Sequence, residues 1–162
     1  MNRYPPPSYV TGDEVAFYFL DTRALAKLYI QEPDTDRLLK VVDGRQGDRI
    51  AVLTISAVEI RSAIRRRQRA GDIDRDVTDE ILESVQAHLE TRFIRQVVND
   101  TVIDTALEMI DRYALRAYDA VQLAGCLTFR STITDPLTFV CSDRQLLRAA
   151  ESEQLPVLDP AG

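Results

Sequence analysis

Three continuous apolar runs of strand length, each followed by polar residues and a helical segment, constrain this chain more than any other feature. Val15–Leu20 reads Val-Ala-Phe-Tyr-Phe-Leu and stops at Asp21-Thr22; Ile50–Thr54 precedes Ser56; Thr138–Cys141 stops at Ser142-Asp143. A strand that is apolar at nearly every position has no side to give to water, so such runs suit a parallel sheet covered on both faces. Between them lie segments of helical composition: Ala24–Ile30, Thr35–Val42 ending near Gly44, Ser56 to about Ala70 with Gly71 as its stop, Asp76–Glu90, Asp100–Tyr113, Arg116–Phe129, and one from Ser142-Asp143 through Glu151. Phe93–Val97 and Pro156–Leu158 read as further short strands. The alternation predicts a three-layer α/β/α sandwich around a mostly parallel sheet.

A chain of 162 residues, 45% hydrophobic, fits one domain of this kind and would be crowded as two. Pro5, Pro6 and Pro7 neither start a helix together nor donate to a sheet, so residues 1–12 are expected to form an extended tail and 13–162 the domain. No stretch approaches the roughly 20 apolar residues of a membrane span, and Met1–Pro7 lacks the basic-then-apolar pattern of a secretion signal. Cys126 and Cys141 are the only cysteines, which suits buried thiols in a reducing compartment, so the expected address is the cytoplasm. With 20 basic and 26 acidic residues the net charge is −6, which argues against nonspecific coating of DNA. A local basic patch remains in Arg61, Arg65, Arg66, Arg67 and Arg69. It is either a solvated helix face or, at Arg61, Arg65 and Arg69, a surface for an RNA backbone or an acidic protein segment.

Sites in open parallel sheets form beyond the carboxyl ends of strands. Asp21, Glu59 and Asp143 fall at or just past three such ends, and Asp119 lies in the first turn of its helix. Taken singly, each has a structural explanation. Asp21 and Asp143 can cap the helices that follow, Glu59 can complete a capping box with Ser56, and Asp119 can pair with Arg116. Taken together they would repel by about 1–4 kcal/mol per close pair, and a fold keeps such a cluster mainly when a cation neutralises it. An oxygen-only donor set points to Mg²⁺ or Mn²⁺. Zinc is disfavoured, because His88 is the only histidine and lies mid-helix.

Four segments in order resemble the motifs of PIN domains: Leu20-Asp21-Thr22-Arg23-Ala24-Leu25-Ala26-Lys27-Leu28-Tyr29, Ser56-Ala57-Val58-Glu59-Ile60, Leu115 through Ala124 (Leu-Arg-Ala-Tyr-Asp-Ala-Val-Gln-Leu-Ala) and Phe139-Val140-Cys141-Ser142-Asp143. Size and wording are most similar to the VapC-type toxins of prokaryotic toxin–antitoxin pairs. That resemblance implies an endoribonuclease needing Mg²⁺ or Mn²⁺, commonly a homodimer, held inactive by a cognate antitoxin. By motif, Asp21, Glu59, Asp119 and Asp143 would form the acidic centre, with Asp21, Asp119 and Asp143 as metal ligands and Thr22 and Ser142 as supporting hydroxyls. Arg116 and Lys27 are candidates for offsetting substrate phosphate or for orienting a carboxylate. Leu25, Leu28, Tyr29, Leu38 and Leu39 are either ordinary core or part of a groove for an antitoxin helix. The alternative is a PIN-like module that binds RNA or protein without cutting; it predicts a degraded acidic set, whereas all four acids are present.

Overall fold

The computed structural model describes residues 15–42 and 47–162. The expected tail over 1–12 and the helix stop near Gly44 lie outside them. Strand β1 is Phe17–Leu20, followed by α1 (Thr22–Lys27) and α2 (Thr35–Val42). Strand β2 (Arg49–Leu53) leads into α3 (Ser56–Ala70), and α4 (Arg75–Thr91) into β3 (Ile94–Gln96). Then come α5 (Asp100–Tyr113), α6 (Ala117–Arg130), β4 (Leu137–Val140), α7 (Arg144–Ser152) and β5 (Val157–Leu158).

The five strands form one sheet in the order β3-β2-β1-β4-β5, and every neighbouring pair runs parallel. The side chains of each strand alternate between two cores. Phe19, Ala51, Leu53, Phe139 and Cys141 face α5, α6 and α7, where Met109, Leu123 and Leu146 pack against them. Leu20, Ile50, Val52 and Val140 face α1 to α4, against Leu25, Leu38, Ile60, Ile64 and Leu82. This is the three-layer sandwich that the apolar runs predicted. The central strands are short of polar residues because both faces are covered.

The α3–α4 hairpin turns at Gly71, whose φ of 83° lies in the left-handed region that glycine adopts without strain. Gly125 answers a different need: a Cβ there would lie 2.4 Å from Leu53 Cδ2. Its absence lets α6 press against β2, which sets the depth at which Asp119 and Gln122 approach the end of the sheet. The candidate groove residues divide. Leu25 and Leu38 are fully buried core, while Leu28, Tyr29 and Leu39 line a cavity of about 60 Å³ with His88 and Phe93. Among the described residues, no helix is long and apolar enough to cross a membrane.

Candidate metal and nuclease site

The chain builds β1, β2 and β3 outward in one direction, then crosses to β4 and β5 on the other side of β1. The sheet therefore reverses its strand order beside β1, and the crevice at the carboxyl ends there is where open α/β sheets place ligands. Asp21 follows β1 directly and Asp143 follows β4 by three residues, across the register pair Leu20–Val140.

Both aspartates are helix caps. Asp21 Oδ1 accepts from the Ala24 amide at 2.7 Å, and Asp143 Oδ1 from the Leu146 amide at 2.9 Å. Glu59 is not part of a capping box, contrary to the expectation: the residue capping α3 is Ile55, and no side chain bonds its first amides. Ser56 is instead the first helical residue and is wholly buried, with its hydroxyl directed into a tertiary network. Thr22 Oγ1 donates to Ser56 Oγ at 3.1 Å. Gln122 Nε2 shares its two N–H groups among Thr22 Oγ1 at 3.0 Å, Ser56 Oγ at 3.2 Å and Glu59 Oε1 at 3.4 Å. The Oε1 of Gln122 is buried and has no partner among the described residues.

Asp21, Glu59 and Asp119 line one cleft of about 400 Å³ with Thr22, Arg23, Arg66, Tyr118 and Gln122. Asp143 adjoins it through Arg23, whose Nη1 lies 3.5 Å from Asp143 Oδ2. Burial raises the Asp21 carboxyl from its usual 3.8 to about 7, opposed by the Ala24 amide and Arg23 and reinforced by Asp119 and Glu59. Burial likewise raises Glu59, against hydrogen bonds from Thr22 and Gln122, with Asp119 adding to the rise. Asp119 is raised by burial and by Asp143, and lowered by Arg23 and Arg116. The four acids thus form one electrostatically linked set, although Asp143 does not line the cleft itself.

Of the two roles considered for Lys27, its contacts are those of a residue that orients a carboxylate. It is buried, bonds Asp34 and lies 3.3 Å from Ser142 Oγ and 3.8 Å from Glu32. Its charge holds the α1–α2 connection and anchors Ser142 beside Asp143, and its hydrogen bond keeps the Asp34 carboxyl below the usual range. Arg116 precedes α6 as its N-cap residue and lowers Asp119 through space. Rotation about the helix axis splits the arginine run. Arg61 and Arg65 face α4, where Arg65 pairs with Asp79 at 2.8 Å. Arg69, four residues past Arg65, is exposed at the far end of α3. Arg66, two turns beyond Glu59, is the member that reaches the cleft.

Sequence reading missed Gln122, Arg23 and Tyr118, and named Arg66 only as one of the basic patch. A signal existed for Gln122: it is a polar residue among Ala120, Leu123 and Ala124, one turn after Asp119.

Among the described residues, no three acidic, histidine or cysteine side chains converge closely enough to ligate one ion directly. The donor set nevertheless suits a hard divalent cation. It consists of carboxylate oxygens, and the most buried of them carries a charge that its surroundings penalise. Mg²⁺ in particular keeps several waters and needs only one or two direct carboxylates.

A parallel five-stranded sheet with this acid set at its reversal point is the architecture of a PIN domain, and the PIN-domain family model matches residues 18–151. The chain belongs to that family. It is 34% identical over 143 residues to ribonuclease VapC35 of Mycobacterium tuberculosis, covering 88% of this chain and 96% of the relative. Its fold is similar to that of PAE2754 from Pyrobaculum aerophilum, with a TM-score of 0.62, 21% identity and 90% of each chain covered. It is also similar to a chain of VapBC2 from Rickettsia felis bound to a promoter DNA fragment. There the TM-score is 0.60 and the identity 13%, covering 88% of this chain and 98% of the other.

Proposed function

We propose that this chain is a Mg²⁺- or Mn²⁺-dependent endoribonuclease, the toxin of a toxin–antitoxin pair, with RNA as substrate and a cognate antitoxin and a second copy of itself as partners. The observation that carries the reading is the linked acid set at the reversal point of the sheet, on a chain one-third identical to a ribonuclease. Asp21, Asp119 and Asp143 would hold the cation, with Glu59 as a further ligand or as acceptor for a coordinated water. When bound, such a cation supplies Lewis acidity: a lowered water pKa and a positive charge facing the phosphoryl oxygen.

The protein's own groups do the remainder. Arg66 and Arg23 stand at the cleft to offset substrate phosphates, a role considered from sequence for Arg61, Arg65 and Arg69. Gln122, Thr22 and Ser56 fix the Glu59 carboxylate from behind. Lys27 steadies Ser142, and with it the turn that presents Asp143. Attack by water on the phosphodiester breaks the P–O3′ bond, leaving a 5′-phosphate and a 3′-hydroxyl.

The test is cleavage of a labelled RNA pool by the purified protein in Mg²⁺ or Mn²⁺ and in EDTA. Wild type is expected to cut only with the cation, and Asp119→Asn to lose on the order of 100-fold or more of the rate. Equal rates for the two proteins would remove Asp119 from the mechanism. An uncleaved pool together with tight RNA retention would favour the non-cutting module.

A further inference from the structure

Two large side chains stand open to solvent where they flank the acids. Tyr118, the residue before Asp119, is 62% exposed, and Val58, the residue before Glu59, is 65% exposed; both line the cleft. An exposed tyrosine ring and an exposed aliphatic group have no folding role at this end of the sheet, since neither belongs to either core. The same cleft presents two guanidinium groups, Arg23 and Arg66. It therefore offers apolar surface and positive charge together, around a floor of carboxylates.

We propose that Tyr118, with Val58, forms a nucleobase subsite: an unpaired base next to the scissile phosphate stacks on the Tyr118 ring while Arg23 and Arg66 take the backbone charge. The inference rests on the ribonuclease reading and adds to it the side chains that would hold an unpaired base beside the cut. Every base has a π-face, so stacking tolerates sequence but requires the base to be out of a helix. A base paired within A-form duplex keeps its faces covered by its neighbours and has none to offer the ring. Tyr118 acts on affinity rather than on the reacting atoms, and its hydroxyl has no part in the subsite.

The experiment compares wild type, Tyr118→Ala, Tyr118→Phe and Tyr118→Trp by fluorescence anisotropy, with Ca²⁺ in place of Mg²⁺. The probes are a 12-nucleotide single-stranded RNA, an abasic ribose-phosphate chain of equal length and a duplex RNA. Tyr118→Ala is expected to weaken single-strand binding roughly 5- to 150-fold. Phe and Trp should stay within about threefold of wild type, because both keep the ring face. The abasic chain and the duplex should bind wild type and Tyr118→Ala alike. The inference is overturned if Tyr118→Ala binds single strands within twofold of wild type. It is equally overturned if Phe loses as much as Ala, or if the loss is as large on the abasic chain. Failure of the wild type to bind any RNA would overturn the ribonuclease reading itself, a result distinct from all of these.

Discussion

Asp21→Asn tests the electrostatics of the site without touching the fold. Asn keeps the cap on α1, since its side-chain oxygen can accept from the Ala24 amide as Asp21 Oδ1 does at 2.7 Å. What it removes is ionisation. In the cation-free protein burial holds the Asp21 carboxyl protonated up to about pH 7, whereas the unfolded chain releases that proton near 3.8. Between those values unfolding releases a proton, so this group's contribution to stability is complete below 3.8 and declines as pH rises through 7. The slope is about 1.4 kcal/mol per pH unit, and the accumulated change from pH 5 to pH 8 is about 3 kcal/mol. Other acids titrate over the same range in both proteins, so the difference between wild type and Asp21→Asn reports Asp21 together with its coupling to Asp119 and Glu59.

In EDTA, urea unfolding at pH 5, 6, 7 and 8 should show Asp21→Asn gaining on wild type by about 3 kcal/mol across the series. The gap in Tm should widen by about 6–12 °C for a chain of this length. Saturating Mn²⁺ should reverse the order, because a cation bound to the folded wild type favours the ionised carboxylate and stabilises by mass action. Parallel stability curves for the two proteins from pH 5 to pH 8 in EDTA would refute the claim that burial destabilises the Asp21 charge.

Gln122→Leu should cost about 1–3 kcal/mol in urea unfolding, because Thr22, Ser56 and Glu59 lose a shared donor while the unpartnered Oε1 is removed as well. No change in stability would mean that the network is incidental. Gly125→Ala should destabilise by about 1–3 kcal/mol, since its Cβ would meet Leu53 Cδ2 at 2.4 Å. The same substitution should cost measurably less in a Leu53→Ala background, and an additive pair would place the strain elsewhere.

The sandwich was legible because burial on both sides leaves a strand no polar positions, and that signature survives in a single sequence. Helix α5 matches its reading at both ends, since Asn99 caps its start through Val102. Helices α2 and α3 also match their readings, and elsewhere the ends shift by one to three residues, as at β1, which begins at Phe17 rather than Val15, and α1, which stops at Lys27 rather than Ile30. The Ser56–Glu59 reading failed for a physical reason. A Ser-x-x-Glu spacing describes a local bond, but Gln122, far along the chain and close in space, supplies a competing donor to both side chains. The sequence around Ser56 carries no trace of a partner brought in by α6. Arg66 is a different case: all five arginines share one composition, and only the helical angle from Glu59 distinguishes the one at the cleft from Arg61 and Arg65 beside α4.

Capping and cation binding at Asp21 and Asp143 stand as rival explanations only while each carboxylate is treated as one acceptor. A carboxylate has two oxygens and about four lone-pair sites. In both residues Oδ1 is committed to a backbone amide, and in Asp143 the second oxygen faces Arg23. The bond to the amide restrains the side chain, so the oxygen that remains is held in place before any ligand arrives. Because β1 and β4 are neighbours in register, two helices begin side by side and two caps bring two carboxylates to the same carboxyl end of the sheet. The local rule that starts a helix after a strand thereby assembles half of the acid set. Asp119 and Glu59 must then be delivered by α6 and α3, whose depth depends on Gly125 against Leu53 and on the Gln122 network behind. Stability and chemistry share the same atoms here, which is why the buried Asp21 charge should weaken the cation-free protein.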